Sequence, residues 1–155
     1  MIEFRKVDLE KDLDRCVEMR RDSYIASFPD SDAWQNYWDE NAYRQFIRTH
    51  AQRFPDGFFH IWLEDQLIGQ LEFAYFDGHG HINLFYLVPG KRGCGYSKAI
   101  HDYVLDVMRS KGCRTLTLRV APTNIRARKY YEKNGWKDEG LDSGYDDVHL
   151  YTRFL

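Results

Sequence analysis

The spacing of apolar positions changes several times along the chain, and each change marks an element. Residues 2–7 alternate loosely and predict a first strand. Leu13, Val17, Tyr24 and Phe28 fall near helical spacing, which predicts a helix over 12–28 with Asp12 as its cap. Pro29-Asp30-Ser31 breaks it. Trp34, Trp38, Phe46, Ile47 and Phe54 predict a second, aromatic-rich helix that stops at Pro55-Asp56-Gly57. The period then shortens. Apolar runs at 58–63 and 67–76 flank Glu64-Asp65-Gln66 and read as a hairpin. A turn at Asp77-Gly78-His79-Gly80 leads to a strand over 81–88, ended by Pro89-Gly90. From 96 to 109 the pattern is helical again, with Ile100, Tyr103, Val104, Val107 and Met108 on one face and a stop at Lys111-Gly112. Residues 115–121 alternate strictly: Leu116, Leu118 and Val120 against Thr115, Thr117 and Arg119. A short helix opens at Pro122-Thr123-Asn124 and closes at Asn134-Gly135, and 137–155 reads as a hairpin-like strand segment. The order β-α-α-β-β-β-α-β-α-β predicts an α/β (α+β) domain with a mixed sheet.

Composition narrows the class. The 155 residues predict one domain spanning the whole chain. A chain of this size buries roughly 70% of its unfolded surface, so the fold needs no metal or disulfide. The 22 basic and 24 acidic residues give a net charge of −2, which excludes the basic excess of a general nucleic-acid binder. Cys16, Cys94 and Cys113 are far apart, odd in number, and lack metal-ligand spacing. The start of the chain has no apolar signal core, and no apolar run approaches the roughly 18 residues of a membrane span. A soluble, cytoplasmic protein is expected, without a membrane partner.

Arg92-Gly93-Cys94-Gly95-Tyr96-Ser97 sits between a predicted strand and a predicted helix. A helix start carries unpaired N–H groups and partial positive charge, and so suits an anion. Gly93 and Gly95 clear the backbone for a phosphate, and Lys91, Arg92 and Lys98 add charge. A P-loop would need Lys where Tyr96 stands, and a dinucleotide fingerprint would need Gly where Lys98 stands. A plain tight turn is the alternative.

These residues carry a resemblance. Leu87-Val88-Pro89-Gly90-Lys91-Arg92-Gly93-Cys94-Gly95-Tyr96-Ser97 resembles the acyl-CoA signature of the GNAT superfamily of N-acetyltransferases, R/Q-x-x-G-x-G/A after a strand, with Ser97 at the last small position. Asn124-Ile125-Arg126-Ala127-Arg128-Lys129-Tyr130-Tyr131-Glu132-Lys133-Asn134-Gly135-Trp136 is similar to that family's N-x-x-A-x-x-x-Y-E-K-x-G-F segment. The resemblance implies a GNAT-like acyl-CoA N-acyltransferase fold and acetyl-CoA as co-substrate, with no metal. It implies that the loop of Arg92, Gly93, Cys94, Gly95, Tyr96 and Ser97, with Lys98 behind it, holds the pyrophosphate. The strand edge at Leu87 and Val88 would pair with the pantetheine arm. Asn124 would hydrogen-bond the same arm, Ala127 would contribute to the cofactor site, and Tyr131 would be the general acid.

The chemistry sets further expectations. An alkylamine has a pKa of about 10.4, so a proton must leave before it attacks. His81 lies where several family members carry a carboxylate, and with Asn83, Phe85 and Leu87 it would share one strand face; Glu72 is the fallback and water the third choice. Tyr130 competes with Tyr131 for the acid role. His79 and His81 have no evident third partner for a metal. Cys94 has no evident catalytic partners and reads as a variable loop residue. Tyr24, Phe28, Trp34, Tyr37 and Trp38 with Asp30, Asp32, Asp39 and Glu40, and a later stretch of Asp142, Tyr145, Asp146 and Asp147, point to a small cationic amine as acceptor. A peptide or protein amine, or a non-catalytic acyl-CoA-binding domain, are the alternatives. A homodimer is compatible with either.

Overall fold

A computed structural model describes residues 1–155, apart from the side chains of Tyr145 and Asp146. Seven strands and four helices follow the order read from the pattern, except that the last predicted strand segment, 137–155, is two strands. They are β1 (Ile2–Lys6), α1 (Leu9–Ser27), α2 (Glu40–Arg53), β2 (Phe58–Leu63), β3 (Gln66–Phe76), β4 (His79–Leu87), α3 (Ser97–Ser110), β5 (Thr115–Val120), α4 (Ile125–Lys133), β6 (Lys137–Asp142) and β7 (Tyr145–Phe154). They form one mixed sheet in the order β1-β2-β3-β4-β5-β7-β6. Only the β4–β5 pair is parallel.

Local chemistry moves several boundaries. Helix α1 starts earlier than expected because Asp8, not Asp12, caps it: the Asp8 carboxylate accepts the Glu10 N–H at 3.1 Å. Helix α2 starts later. Trp34 falls in a short 3₁₀ turn (Ala33–Asn36), and Asp39 caps the helix by accepting the Ala42 N–H at 3.0 Å. Between β3 and β4 the turn is only Asp77 and Gly78, with φ of 50° and 78°. That left-handed pair suits a two-residue hairpin, so His79 and Gly80 are already strand.

The sheet separates two sets of helices. Alternation in β2 sends Phe59 and Ile61 to the face of α3 and α4, where they join Ile100, Val104, Met108 and Tyr131. Phe58 goes to the other face, with Cys16, Val17, Tyr43 and Ile47 of α1 and α2. That second face also buries a polar chain. The Tyr43 hydroxyl donates to Glu72 Oε2 at 2.6 Å, Gln70 Nε2 donates to the same oxygen at 2.9 Å, and Gln70 Oε1 bonds His60 at 2.8 Å. The final hairpin does not simply extend the sheet. Strand β7 inserts between β5 and β6, antiparallel to both.

Candidate active site

The site begins where the sheet splits. Strands β4 and β5 pair only from His79↔Thr115 to Ile82↔Leu118, yet β4 continues to Leu87 and β5 to Val120. The cause lies on the other edge of β4. Its pairing with β3 shifts register between Glu72 and Phe73, which face Leu84 and Ile82, so Asn83 is an extra residue: a β-bulge. Bulges bend the strand and re-aim its side chains. His81 and Phe85 therefore lie on opposite faces instead of sharing one, as strict alternation would require. His81 bonds Thr117 beside α1, whereas Phe85 packs against Tyr130 and Tyr131, with ring centroids at 6.1 and 6.4 Å.

The splay opens a cleft of about 840 Å³. Leu87, Arg92, Gly93, Gly95, Ser97, Lys98, Asn124, Ala127 and Tyr131 all line it. Its β4 wall is an unpaired strand edge. The Val88 N–H donates to Ile68 O at 2.9 Å, on the β3 side. Backbone N–H groups alternate in direction along a strand, so the Leu87 N–H turns to the open edge. Of the expected pair, Leu87 alone presents its N–H to the cleft.

The glycine loop has a strained geometry that only glycine adopts easily. Gly93 and Gly95 have φ of 71° and 90°. A side chain on Gly93 would also press on Arg126 Nη2, 2.8 Å from the Cβ position. Tyr96 precedes α3 without a side-chain cap, so no side chain takes the first N–H groups of that helix. The Arg92 side chain folds back instead of projecting into the loop. Its Nε donates to Leu87 O at 2.7 Å and its Nη2 pairs with Asp22 at 3.0 Å, an oxygen that also accepts the Tyr86 hydroxyl. Lys98 pairs with Asp102 at 2.7 Å. Cys94 is exposed, and with Val88 and Tyr96 it lies off the cleft wall.

Helix α4 supplies the opposite wall. Asn124 caps it by accepting the Ala127 N–H at 3.2 Å. The two tyrosines separate by role. Tyr130 donates its hydroxyl to Ser97 O at 3.1 Å, and burial pushes its pKa up to about 12. Tyr131 is buried and lines the cleft, and its hydroxyl finds no hydrogen-bond partner among the described residues. Desolvation, followed by the neighbouring Tyr130, raises its pKa, so at neutral pH it is a protonated donor.

A second cavity of about 410 Å³ adjoins the cleft on the α1 side. Tyr24, Phe28, Tyr37 and Asp147 line it, as do Arg20 and Arg119. Asn83 and Arg20 border both cavities and so mark the junction. Tyr37 donates to Asp147 at 2.6 Å. Of the other expected acceptor residues, Asp39 caps α2, Glu40 pairs with Arg44 at 3.0 Å, Asp142 pairs with Arg119 at 2.7 Å, and Trp38 packs in the α1–α2 core. The side chains of Tyr145 and Asp146 are outside the described residues.

His81 also lines this second cavity, and its hydrogen bonds fix its tautomer. A guanidinium only donates, so Arg119 Nη1, at 3.2 Å, makes His81 Nε2 an acceptor. The ring proton is then on Nδ1, which donates to Thr117 Oγ1 at 2.7 Å. Thr117 in turn donates to His79 Nε2 at 3.1 Å, and His79 Nδ1 donates to Thr115 at 3.0 Å. Desolvation, then Arg119 and His79, lower the His81 pKa to about 4. Glu72 lines neither cavity; it belongs to the buried chain under α1 and α2. In the sequence Arg20 and Asp22 carry no signal for the site, and Asn83 and Arg119 read only as strand positions. Arg119 belongs to a strand pattern in which its polar face looked like solvent, and the bulge at Asn83 has no pattern signal.

Comparison with known proteins agrees with this geometry. Residues 13–136 match the model of the acetyltransferase (GNAT) family. A mycothiol acetyltransferase of Beutenbergia cavernae is 35% identical over 66 residues, which are 43% of this chain and 22% of that protein. The matched part thus spans under a quarter of that relative. The uncharacterized N-acetyltransferase MJ1530 of Methanocaldococcus jannaschii is 23% identical over 135 residues, 84% of this chain and 76% of the relative. Among solved structures, the PaiA N-acetyltransferase of Thermoplasma acidophilum in complex with coenzyme A shares the fold at a TM-score of 0.83 and 22% identity, covering 100% of this chain and 99% of that one.

Proposed function

The chain belongs to the acetyltransferase (GNAT) family, and from that premise we propose that it transfers an acetyl group from acetyl-CoA to a primary amine by direct attack, with both substrates bound together. The observation that carries this reading is the cleft between β4 and β5. On it lie an unpaired strand edge with the Leu87 N–H, a glycine loop before an uncapped helix, and a largely buried tyrosine whose hydroxyl has no partner among the described residues. Each meets one demand of the reaction. The loop N–H groups from Gly93 to Ser97, with Lys98, would hold the pyrophosphate. The β4 edge would take the pantetheine arm as an added strand. Asn124 and Ala127 would border that arm.

Acetyl-CoA supplies the thioester that the amine attacks. The Leu87 N–H would hydrogen-bond the acyl oxygen, and Arg92 keeps this end of β4 in place through the Leu87 carbonyl. Tyr131 holds a proton at its Oη and would give it to the leaving sulfur. The acceptor would enter through the second cavity as a small ammonium-bearing molecule, a reading supported by its aromatic wall and Asp147. The accepting nitrogen of His81 faces Arg119 and is weakly basic, which supports release of the amine proton to water, with His81 positioning Arg119.

The test pairs acetyl-CoA binding by calorimetry with thiol release across an amine panel. Turnover should appear with at least one primary amine. Tyr131→Phe should lower kcat about 100-fold while acetyl-CoA still binds. Binding without any turnover would leave an acyl-CoA-binding domain instead.

A further inference from the structure

The second cavity holds a cation whose partner is missing from the protein. Arg20 is half-buried at the junction of the two cavities. Its Nη1 donates to Asn83 O at 3.1 Å, and its guanidinium lies over the rings of Tyr24 and Tyr43 at 5.1 and 6.0 Å. Ring faces hold a guanidinium in place but leave its in-plane N–H groups unused. Among the described residues no carboxylate reaches it within ion-pair distance. The nearby acids are engaged elsewhere: Asp22 with Arg92 and Tyr86, Glu72 with Tyr43 and Gln70, Asp147 with Tyr37. A half-buried charge without a counter-ion is costly unless something supplies one. Beside it the Asn83 Oδ1 is buried with no hydrogen bond, an acceptor that fits an incoming N–H.

We propose that Arg20 binds a carboxylate carried by the acceptor, so that the substrate is a small amino-carboxylic acid whose amine meets Asn83 at the junction. This rests on the acetyltransfer reading and narrows it. The planar fork of a guanidinium matches a carboxylate with two parallel hydrogen bonds, a match that an ammonium-only substrate such as a diamine lacks. The positive charge also favours the neutral, nucleophilic form of an amine placed near it.

The experiment compares α-, β- and γ-amino acids with their own amides and with simple diamines. The wild-type protein should prefer the best carboxylate over its amide at least 10-fold in kcat/KM. Arg20→Gln should bring that ratio close to one, and Arg20→Lys should restore part of it; matching melting temperatures would exclude misfolding. A second readout needs no turnover. With CoA present, the N-acetyl amino acid should bind the wild type at least 10-fold more tightly than its amide, and Arg20→Gln should abolish the difference. Diamines or amides preferred by the wild type, or a carboxylate preference that survives Arg20→Gln, would overturn the proposal. Arg20-dependent carboxylate binding without turnover would uphold the subsite and instead sink the acetyltransfer reading.

Discussion

His81 shows how far a residue's chemistry depends on its neighbours. A histidine is neutral or charged near pH 7 by small margins, which made it a natural candidate for a base. Here burial and Arg119 hold it neutral down to a pH of about 4, from an ordinary 6.5. Because its folded pKa is depressed, the unfolded chain binds the proton more readily. The stability it contributes is complete above pH 6.5 and is lost as the pH falls from 6.5 to 4. A shift of about 2.5 pKa units corresponds to about 3.4 kcal/mol at most. In His81→Gln, the denaturation midpoint should fall less steeply than in the wild type between pH 6.5 and 4.5. An equally steep fall would show that His81 does not titrate in this window. The same variant should lower kcat by less than about 10-fold and leave the acidic limb of the rate profile in place. Loss of that limb would return the role of base to His81.

Among the elements, the loop between β4 and α3 carries the most specific demand. Gly95 has φ of 90° and nothing near its Cβ position, so substitution there strains the backbone without causing a clash. Gly95→Val should therefore weaken acetyl-CoA binding at least 10-fold by calorimetry while the melting temperature drops by only a few degrees. Unchanged affinity would remove the loop from the cofactor site. The motif residues and the helix spacing made both this loop and α4 legible in the sequence. What the sequence hid was the direction of each group. Arg92 reads as a phosphate ligand, but Asp22, seventy residues earlier, and the Leu87 carbonyl hold its side chain back against β4.

On the scale of the molecule, the sheet serves its two faces differently. One is an apolar core, and the other buries Glu72 fully with one oxygen unpaired. The Tyr43 hydroxyl and a Gln70 N–H both rely on the other oxygen. Glu72→Ala should strand those donors and destabilise the fold by about 3 kcal/mol in urea unfolding. Glu72→Gln, which keeps an acceptor, should cost clearly less. A neutral Glu72→Ala would mean that the chain of polar groups contributes nothing to stability. Because Tyr43 also lies under Arg20, this buried chain supports one wall of the second cavity.

Periodicity by itself determined the element order, and local residue types determined the opening of α4 at Asn124 and the glycine loop, because these depend on neighbours a few residues apart. Two motifs at the right separation determined the family resemblance and the position of Tyr131. Only the tertiary structure decided the rest. The register shift at Asn83 comes from pairing with β3, and it turns His81 and Phe85 to opposite faces. The insertion of β7 beside β5 brings Asp147 to the second cavity. Arg20 looks in the sequence like one more charge on a helix. It becomes an unpaired cation only when α1 packs over the split in the sheet and water is excluded from one side of it.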